Sequence, residues 1–241
     1  MQRAAPPGLR PLGKNKSHIM KPLGRRSAAL AGLIGAIALL SGAQSARADS
    51  LRADIELTTK DIGSKESAVG NLVADSIRSA VKCDAAFIAA DYFTEVTIPK
   101  GAITNADILR ALVMPGDSIS IVKLTGDQIQ RGMERSLLLY PKFNSGFLEV
   151  SGMVVTFRPD ADADKRVISI KINGDAIEPN KNYLVAMPTP LAKGGLAYFK
   201  IWKASDISKE TDKTLQTAVN GYLADHKTIY KGEERLVAKG K

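Results

Sequence analysis

The chain has 241 residues, 44% of them hydrophobic and 24% charged, with 34 basic against 25 acidic residues, a formal charge of +9 and one cysteine, Cys83. That apolar share excludes a chain disordered along its whole length, and the lone cysteine excludes an intramolecular disulfide framework. The basic excess does not point to nucleic acid, because eight basic residues and no acidic ones fall within residues 1–48, which leaves 26 basic against 25 acidic and a formal charge of +1 for the rest.

The first 48 residues read as a leader. From Met20, the charges of Lys21, Arg25 and Arg26 precede an uncharged apolar run from Ala28 to Leu40, followed by the small-residue triplet Ala46-Arg47-Ala48. This is the three-part form of a secretory signal peptide cut after Ala48. The run is shorter than the roughly 20 residues that a spanning helix needs, so no stable membrane span is expected after cleavage. The expected organisation is a leader over 1–48, with translation starting at Met20, and one exported domain over 49–241, periplasmic or secreted. The Arg25-Arg26 pair leaves the twin-arginine route open.

The elements follow in chain order. Val69, Leu72, Val73, Ile77 and Ala80 recur at helical spacing, with Ser64 as the expected N-cap and Glu66 in the first turn. Cys83 follows this helix and is expected as a small buried thiol, with no histidine beside it to make it a nucleophile. AAFIAAD reads as a buried strand, and TIPKGAITNADILRALV as a turn leading to a short helix capped near Thr104 or Asn105. SISIVKL alternates as a strand does, and Thr125 with Gln128 forms a capping box ahead of a stripe of Ile129, Met133 and Leu137. VSGMVVTFRP and RVISIKI read as strands, Asn173-Gly174 as a tight hairpin, YLVAMPT as a further strand, Gly194-Gly195 as a loop, and ETDKTLQTAVNGYLADH as a final amphipathic helix. With no regular βαβ rhythm, the expected fold class is α+β, a single domain of mixed strands and helices.

The order of ES-x-x-GNLVAD-x-x-R, a strand, IPKGAIT, a helix, S-x-x-x-V-x-LTG, VSG-x-x-x-x-F, NG, Y-x-V-A and GG resembles the C-terminal domain of the 5'-nucleotidase family, from about Asp54 to His226. In that family the resemblance implies two domains. An N-terminal metallophosphatase holds two metal ions on Asp, His and Asn ligands and activates water, while the C-terminal domain binds the nucleotide base. Between Ala48 and Asp54 there is no place for the first domain, and after Ala48 the only histidine is His226, expected to face solvent near a helix end. The expectation is a stand-alone relative of the binding domain with no metal and no cofactor.

Several binding residues implied by the resemblance are replaced. Where the family has NGGGIR before IP-x-G-x-IT, this chain reads AADYFTEV, placing Thr94 or Glu95 at the phosphate-holding arginine. An acid there repels phosphate, and a threonine offers one neutral hydrogen bond in place of a charge-assisted pair. The two base-stacking phenylalanines, in PFGN and before the GG loop, become Pro115 in MPGD and Pro190 in AMPTPLAKGG. GGDGY becomes GGLAY with Leu196, and Gly63 stands where an arginine precedes ES. Candidate ligand-binding residues that remain are Asn71, Gly152, Gly194 and Gly195, each with an equally plain scaffold role in backbone conformation or helix packing. Tyr92, Phe93 and Tyr198 are expected as exposed rings near the cleft, either lining a pocket of new shape or filling the space of a lost ligand. Arg78 is expected to pair with Asp75 one turn back at the surface, making ESAVGNLVADSIR a docking helix.

By family label the chain belongs to nucleotide catabolism and the hydrolases, yet its residues predict no hydrolysis on its own. The expected function is a non-catalytic binding module for a small nucleoside-like or sugar-like ligand. The alternative is a protein-interaction subunit docking on a separate metallophosphatase or periplasmic complex, and a third reading is a hydrolase that recruits its metal domain in trans.

Overall fold

A computed structural model describes residues 50–232 and 234–240. The expected leader over 1–48, its apolar run and its cleavage site lie outside the described residues.

Two short strands, β1 (Arg52–Ala53) and β2 (Leu57–Thr58), lead to helix α1 (Ala68–Val81). Val69, Leu72, Val73 and Ile77 form its buried face. The cap is Ser67, not Ser64, and Glu66 stands ahead of the helix. The start is set by tertiary partners: the Ser67 N–H donates to Glu149 Oε1 (2.8 Å) and Ser67 Oγ donates to the Thr58 carbonyl (2.7 Å). Lys82 closes the helix in the left-handed region at φ 56°. Strand β3 (Ala85–Ala89), buried at every position, follows, then the short strands β4 (Thr97–Ile98) and β5 (Gly101–Ala102). Thr104 caps α2 (Asn105–Leu109) in a capping box with Asp107.

The expected strand is β6 (Ser118–Thr125), and the Thr125–Gln128 box starts α3 (Gly126–Ser136), whose stripe of Ile129, Met133 and Leu137 is fully buried. Strands β7 (Leu148–Ser151), β8 (Met153–Phe157) and β9 (Val167–Ile172) follow, and Asn173 (φ 54°) with Gly174 (φ 92°) turns β9 into β10 (Asp175–Ala176). Both turn residues take positive φ, as a two-residue hairpin of this twist demands. Strand β11 (Asn182–Pro188) runs into the single turn α4 (Thr189–Ala192).

Two expectations fail near the C-terminus. ETDKT is not the head of a helix but the end of β12 (Ile207–Thr214), an edge strand bonded to β6, and α5 begins only at Leu215, capped by Thr214. Nor is that helix final: β13 (Thr228–Ile229) pairs in parallel with β1, and β14 (Leu236–Ala238) pairs in parallel with β8.

The main sheet has the order β12-β6-β11-β3-β7, with β3 parallel to β11 and every other pairing antiparallel. Helix α1 packs on β3 and β7 and carries α5 on its outer side. A second sheet of order β10-β9-β8-β14 completes an α+β fold, as expected.

Candidate ligand-binding cleft

The parallel strands β3 and β11 deliver their C-terminal ends to one edge of the main sheet, where the antiparallel β6 begins. Beyond them lies a cleft of about 410 Å³. Asp91 and Tyr92 enter it from the 3₁₀ turn after β3, Val113, Met114 and Asp117 from the loop before β6, and Leu191 and Leu196 from α4 and the turn beyond. Backbone bonds fix each contributor: Asp91 N–H donates to the Ser145 carbonyl (3.0 Å), Val113 N–H to the Tyr92 carbonyl (2.9 Å) and Asp117 N–H to the Met114 carbonyl (3.1 Å).

The electrostatics of the cleft are one-sided. Its lining residues include two carboxylates, Asp91 and Asp117, and no basic side chain. Burial, and next the Asp117 carboxylate, hold the Tyr92 phenol well above its ordinary value; the Leu191 N–H opposes this and Asp91 adds to it. A guanidinium stands behind the wall, where Arg135 Nη2 donates to the Leu196 carbonyl (3.0 Å) and Arg135 Cζ lies 5.8 Å from the centroid of the Tyr198 ring.

The candidate residues separate into three places. Tyr92 and Gly195 line the cleft. The expectation that Tyr92, Phe93 and Tyr198 are exposed rings is wrong, for all three are buried. Tyr198 donates its hydroxyl to the Gly146 carbonyl (2.6 Å) and stacks on Trp202 with centroids 4.4 Å apart, so it packs the wall behind the cleft. Phe93 bridges Leu112 through its backbone and turns its ring into the core. Gly194 holds φ 93°, and a Cβ there would stand 2.7 Å from Phe199 Cα, so this position is a glycine for conformational reasons. Gly152, at φ 75° in the turn from β7 to β8, crowds the Asp84 carbonyl and lies away from the cleft. Asn71 sits on α1, where it lines two other cavities.

The sequence itself matches the model of the 5'-nucleotidase C-terminal domain over residues 43–203. The chain belongs to the 5'-nucleotidase C-terminal domain family. It is 31% identical over 153 residues to the trifunctional nucleotide phosphoesterase protein YfkN of Bacillus subtilis, a match spanning 60% of this chain and 10% of that protein. It is 26% identical over 199 residues to the cell wall protein Lmo0130 of Listeria monocytogenes, spanning 77% of this chain and 25% of that protein. Its fold superposes on the 5'-nucleotidase precursor of Thermus thermophilus with a TM-score of 0.70 at 22% identity, covering 78% of this chain and 39% of that one. The chain thus spans about a quarter or less of the length of these two curated relatives.

Among the positions where this member departs from the 5'-nucleotidase pattern, Pro190 and Leu196 line the cleft, whereas Pro115 does not and its neighbour Met114 does. Thr94 and Glu95, the expected replacements for the arginine, are exposed and outside the lining; the acid that enters is Asp91. Lys193 pairs with Glu210 (3.2 Å) and Lys65 with Asp61 (3.2 Å), so both lysines are engaged at the surface. His226 is exposed and stacks on Tyr222 with centroids 3.9 Å apart. Among the described residues no three of His, Cys, Asp or Glu come together as a ligand set, so they do not fit the family's metal pair. No described helix is long and apolar enough to cross a membrane.

Away from the cleft, a larger groove of about 710 Å³ runs between the residues before α1 and the C-terminal segment. Its charges of both signs are interspersed, with Lys60, Lys65 and Lys231 against Glu56, Asp61 and Glu66. Glu66 and Asn71 in its lining belong to a polar clasp. Glu66 Oε2 accepts the N–H groups of Arg235 (2.8 Å) and Leu236 (2.9 Å), while Asn71 Nδ2 donates to Glu66 Oε1. Arg235 Nη2 pairs with Asp75 (2.8 Å) and Nη1 donates to the Val150 carbonyl (2.8 Å). Arg78 does not pair with Asp75 directly: its Nε donates to Ser151 Oγ (2.8 Å), which donates to Asp75 Oδ1 (2.6 Å). The carboxylate is already committed to Arg235, and Ser151 fills the gap. These partners lie 73 to 160 residues from the helix, which is why no local pattern shows them.

Proposed function

We propose that the chain is an exported, non-catalytic ligand-binding module built on the 5'-nucleotidase C-terminal fold. The observation that carries this reading is the cleft itself: a pre-formed concavity at the sheet end, of a size that suits a small molecule, whose lining has lost the cation that phosphate needs. The fold stays intact around it, with Tyr198 and Trp202 packing the wall. Export is supported by the signal-peptide pattern before Asp49 and by the likeness to a cell wall protein.

The test is thermal unfolding of the protein against nucleosides, nucleotides, sugars and amines, with a phosphate-release assay on AMP in Mn²⁺ or Zn²⁺ alongside. A ligand present at 100 times its dissociation constant adds about 2.7 kcal/mol, a clear shift of the midpoint. The expected result is a shift with at least one small molecule and no metal-dependent phosphate release; turnover of AMP at enzyme-like rates overturns the reading. The second reading, a docking subunit for a separate metallophosphatase, is favoured by one observation, the exposure of Val113 (53%) and Met114 (56%) at the rim of the cleft. It predicts that placing a charge there, as in Val113→Asp or Met114→Asp, abolishes complex formation, and that ligand shifts are absent throughout.

A further inference from the structure

The sign of the cleft goes further than the loss of a phosphate site. Two carboxylates enter it from different elements, Asp91 from the turn after β3 and Asp117 from the loop before β6, and neither has a hydrogen-bond or ion-pair partner for its side chain among the described residues. Beside them Tyr92, 8% exposed, lines the cleft with a hydroxyl that donates to no acceptor among the described residues. Around this polar group stand Val113, Met114, Leu191 and Leu196. Both carboxylates reach the cleft from its solvent-open side, Asp91 exposed and Asp117 half-buried, and a positive charge placed between them is attracted to both.

The geometry points to a small organic cation as the ligand: an amine or amidine carried on an apolar body, its charge against Asp91 and Asp117 and its body against Val113, Met114, Leu191 and Leu196. This rests on the reading of the chain as a binding module and names the class of ligand. A phosphate in the same place faces two carboxylates with no basic lining residue to offset them. A hard metal cation wants six or more oxygen ligands, which two carboxylates among aliphatic side chains do not supply, whereas an ammonium ion carries its own donors and brings apolar surface to the apolar walls. The backbone bonds that hold Asp91, Val113 and Asp117 keep the site formed without ligand, so little ordering cost falls on binding.

The experiment is calorimetric titration of the full chain with three probes that share a phenylalkyl body and carry a positive, neutral or negative head group, 4-phenylbutylamine, 4-phenylbutanol and 4-phenylbutanoate, and with adenosine, AMP and calcium chloride. The same series is run on Asp91→Asn, Asp117→Asn and the double variant, which keep the shape of both side chains. The amine is expected to bind, the acid and AMP to give no heat, and the double variant to weaken the amine by about tenfold or more, with the loss shrinking at high salt. Equal binding of amine and acid, an amine affinity untouched in the double variant, or calcium as the better ligand overturns the inference. Binding of adenosine or the alcohol without the amine overturns it and leaves the module standing. Silence from every probe, with unchanged thermal midpoints across the full panel, takes down the module reading together with this one.

Discussion

The carboxyl group of Glu149 on β7 lies against the backbone of Gly70 on α1, and a Cβ at Gly70 would overlap Glu149 Cγ and Cδ. The glycine of GNLVAD therefore makes room for a buried acid. Gly70→Ala is expected to cost about 1–3 kcal/mol through overpacking, read as a lower urea midpoint. Glu149→Ala in the same chain should return part of that loss; strictly additive costs would show that the two residues do not meet.

Glu149 is fully buried, with Oε1 accepting the Ser67 N–H and Oε2 unpaired, and among the described residues Asn71 Oδ1, one residue along from Gly70, is the other buried side-chain acceptor without a partner. Burial is the main cause that raises the Glu149 pKa well above its ordinary value; the Ser67 N–H opposes this, the Glu66 carboxylate adds to it, and Arg235 opposes. A raised folded-state pKa means that the folded chain holds the proton more tightly than the unfolded one, so the contribution is complete below the ordinary carboxyl pKa and is lost as pH climbs to the raised value. Glu149→Gln keeps the shape of the side chain without titrating. The difference in stability between variant and parent should therefore move in the variant's favour from pH 5 to pH 9, measured by urea unfolding; a difference flat with pH would mean that Glu149 titrates normally.

Arg235 ties β14 to α1 and β7, with side-chain exposures of 18% for Arg235 and 21% for Asp75 in their pair. Its planar fork serves Asp75 and the Val150 carbonyl at once, which a lysine cannot do. Arg235→Ala should cost about 1–3 kcal/mol, and Arg235→Lys should recover less than half of it. The amides of Val237 and Lys239, on the side of the strand that faces β8, where Lys239 N–H donates to the Phe157 carbonyl (2.8 Å), should lose hydrogen-exchange protection first; unchanged protection would show that β14 is held by its pairing with β8 alone.

Cys83 is buried beside Asp84, and burial first, then that carboxylate, push its thiol up to about 11. At pH 8 almost none is thiolate, the form that reacts. A disulfide reagent should label the native chain slowly and the urea-unfolded chain fast, and rapid labelling of the folded protein would contradict the burial.

Much of the architecture was legible because it is written locally. The Thr125–Gln128 box, the Asn173-Gly174 turn, the all-apolar β3 and the stripe of α3 each depend on residues within a few positions of one another. The start of α1 was not legible, since the group that fixes it, Glu149, is 82 residues away. Nor was β12, whose ISKETDKT carries few apolar residues and is a strand because β6 offers it an edge. At the cleft, the changes at Pro190 and Leu196 were readable against the family pattern and fell where expected. The burial of Tyr198 depends on Trp202 and Gly146, and the entry of Asp91 depends on a turn whose direction only the fold sets. The MPGD motif offered a signal that went unused, for it contains both Met114 and Asp117.

Residues far apart in the chain share hydrogen bonds here: Arg52 N–H donates to the Lys227 carbonyl (2.9 Å), and Glu66 receives the amides of Arg235 and Leu236. A folding chain can shape α1 and the inner strands from other contacts, yet β1 and the front of α1 stay without these partners until the segment from Lys227 to Leu236 has closed on them. Closure of that segment thereby fastens the fold, and a chain cut before Arg235 carries an unfastened helix that proteases can grip.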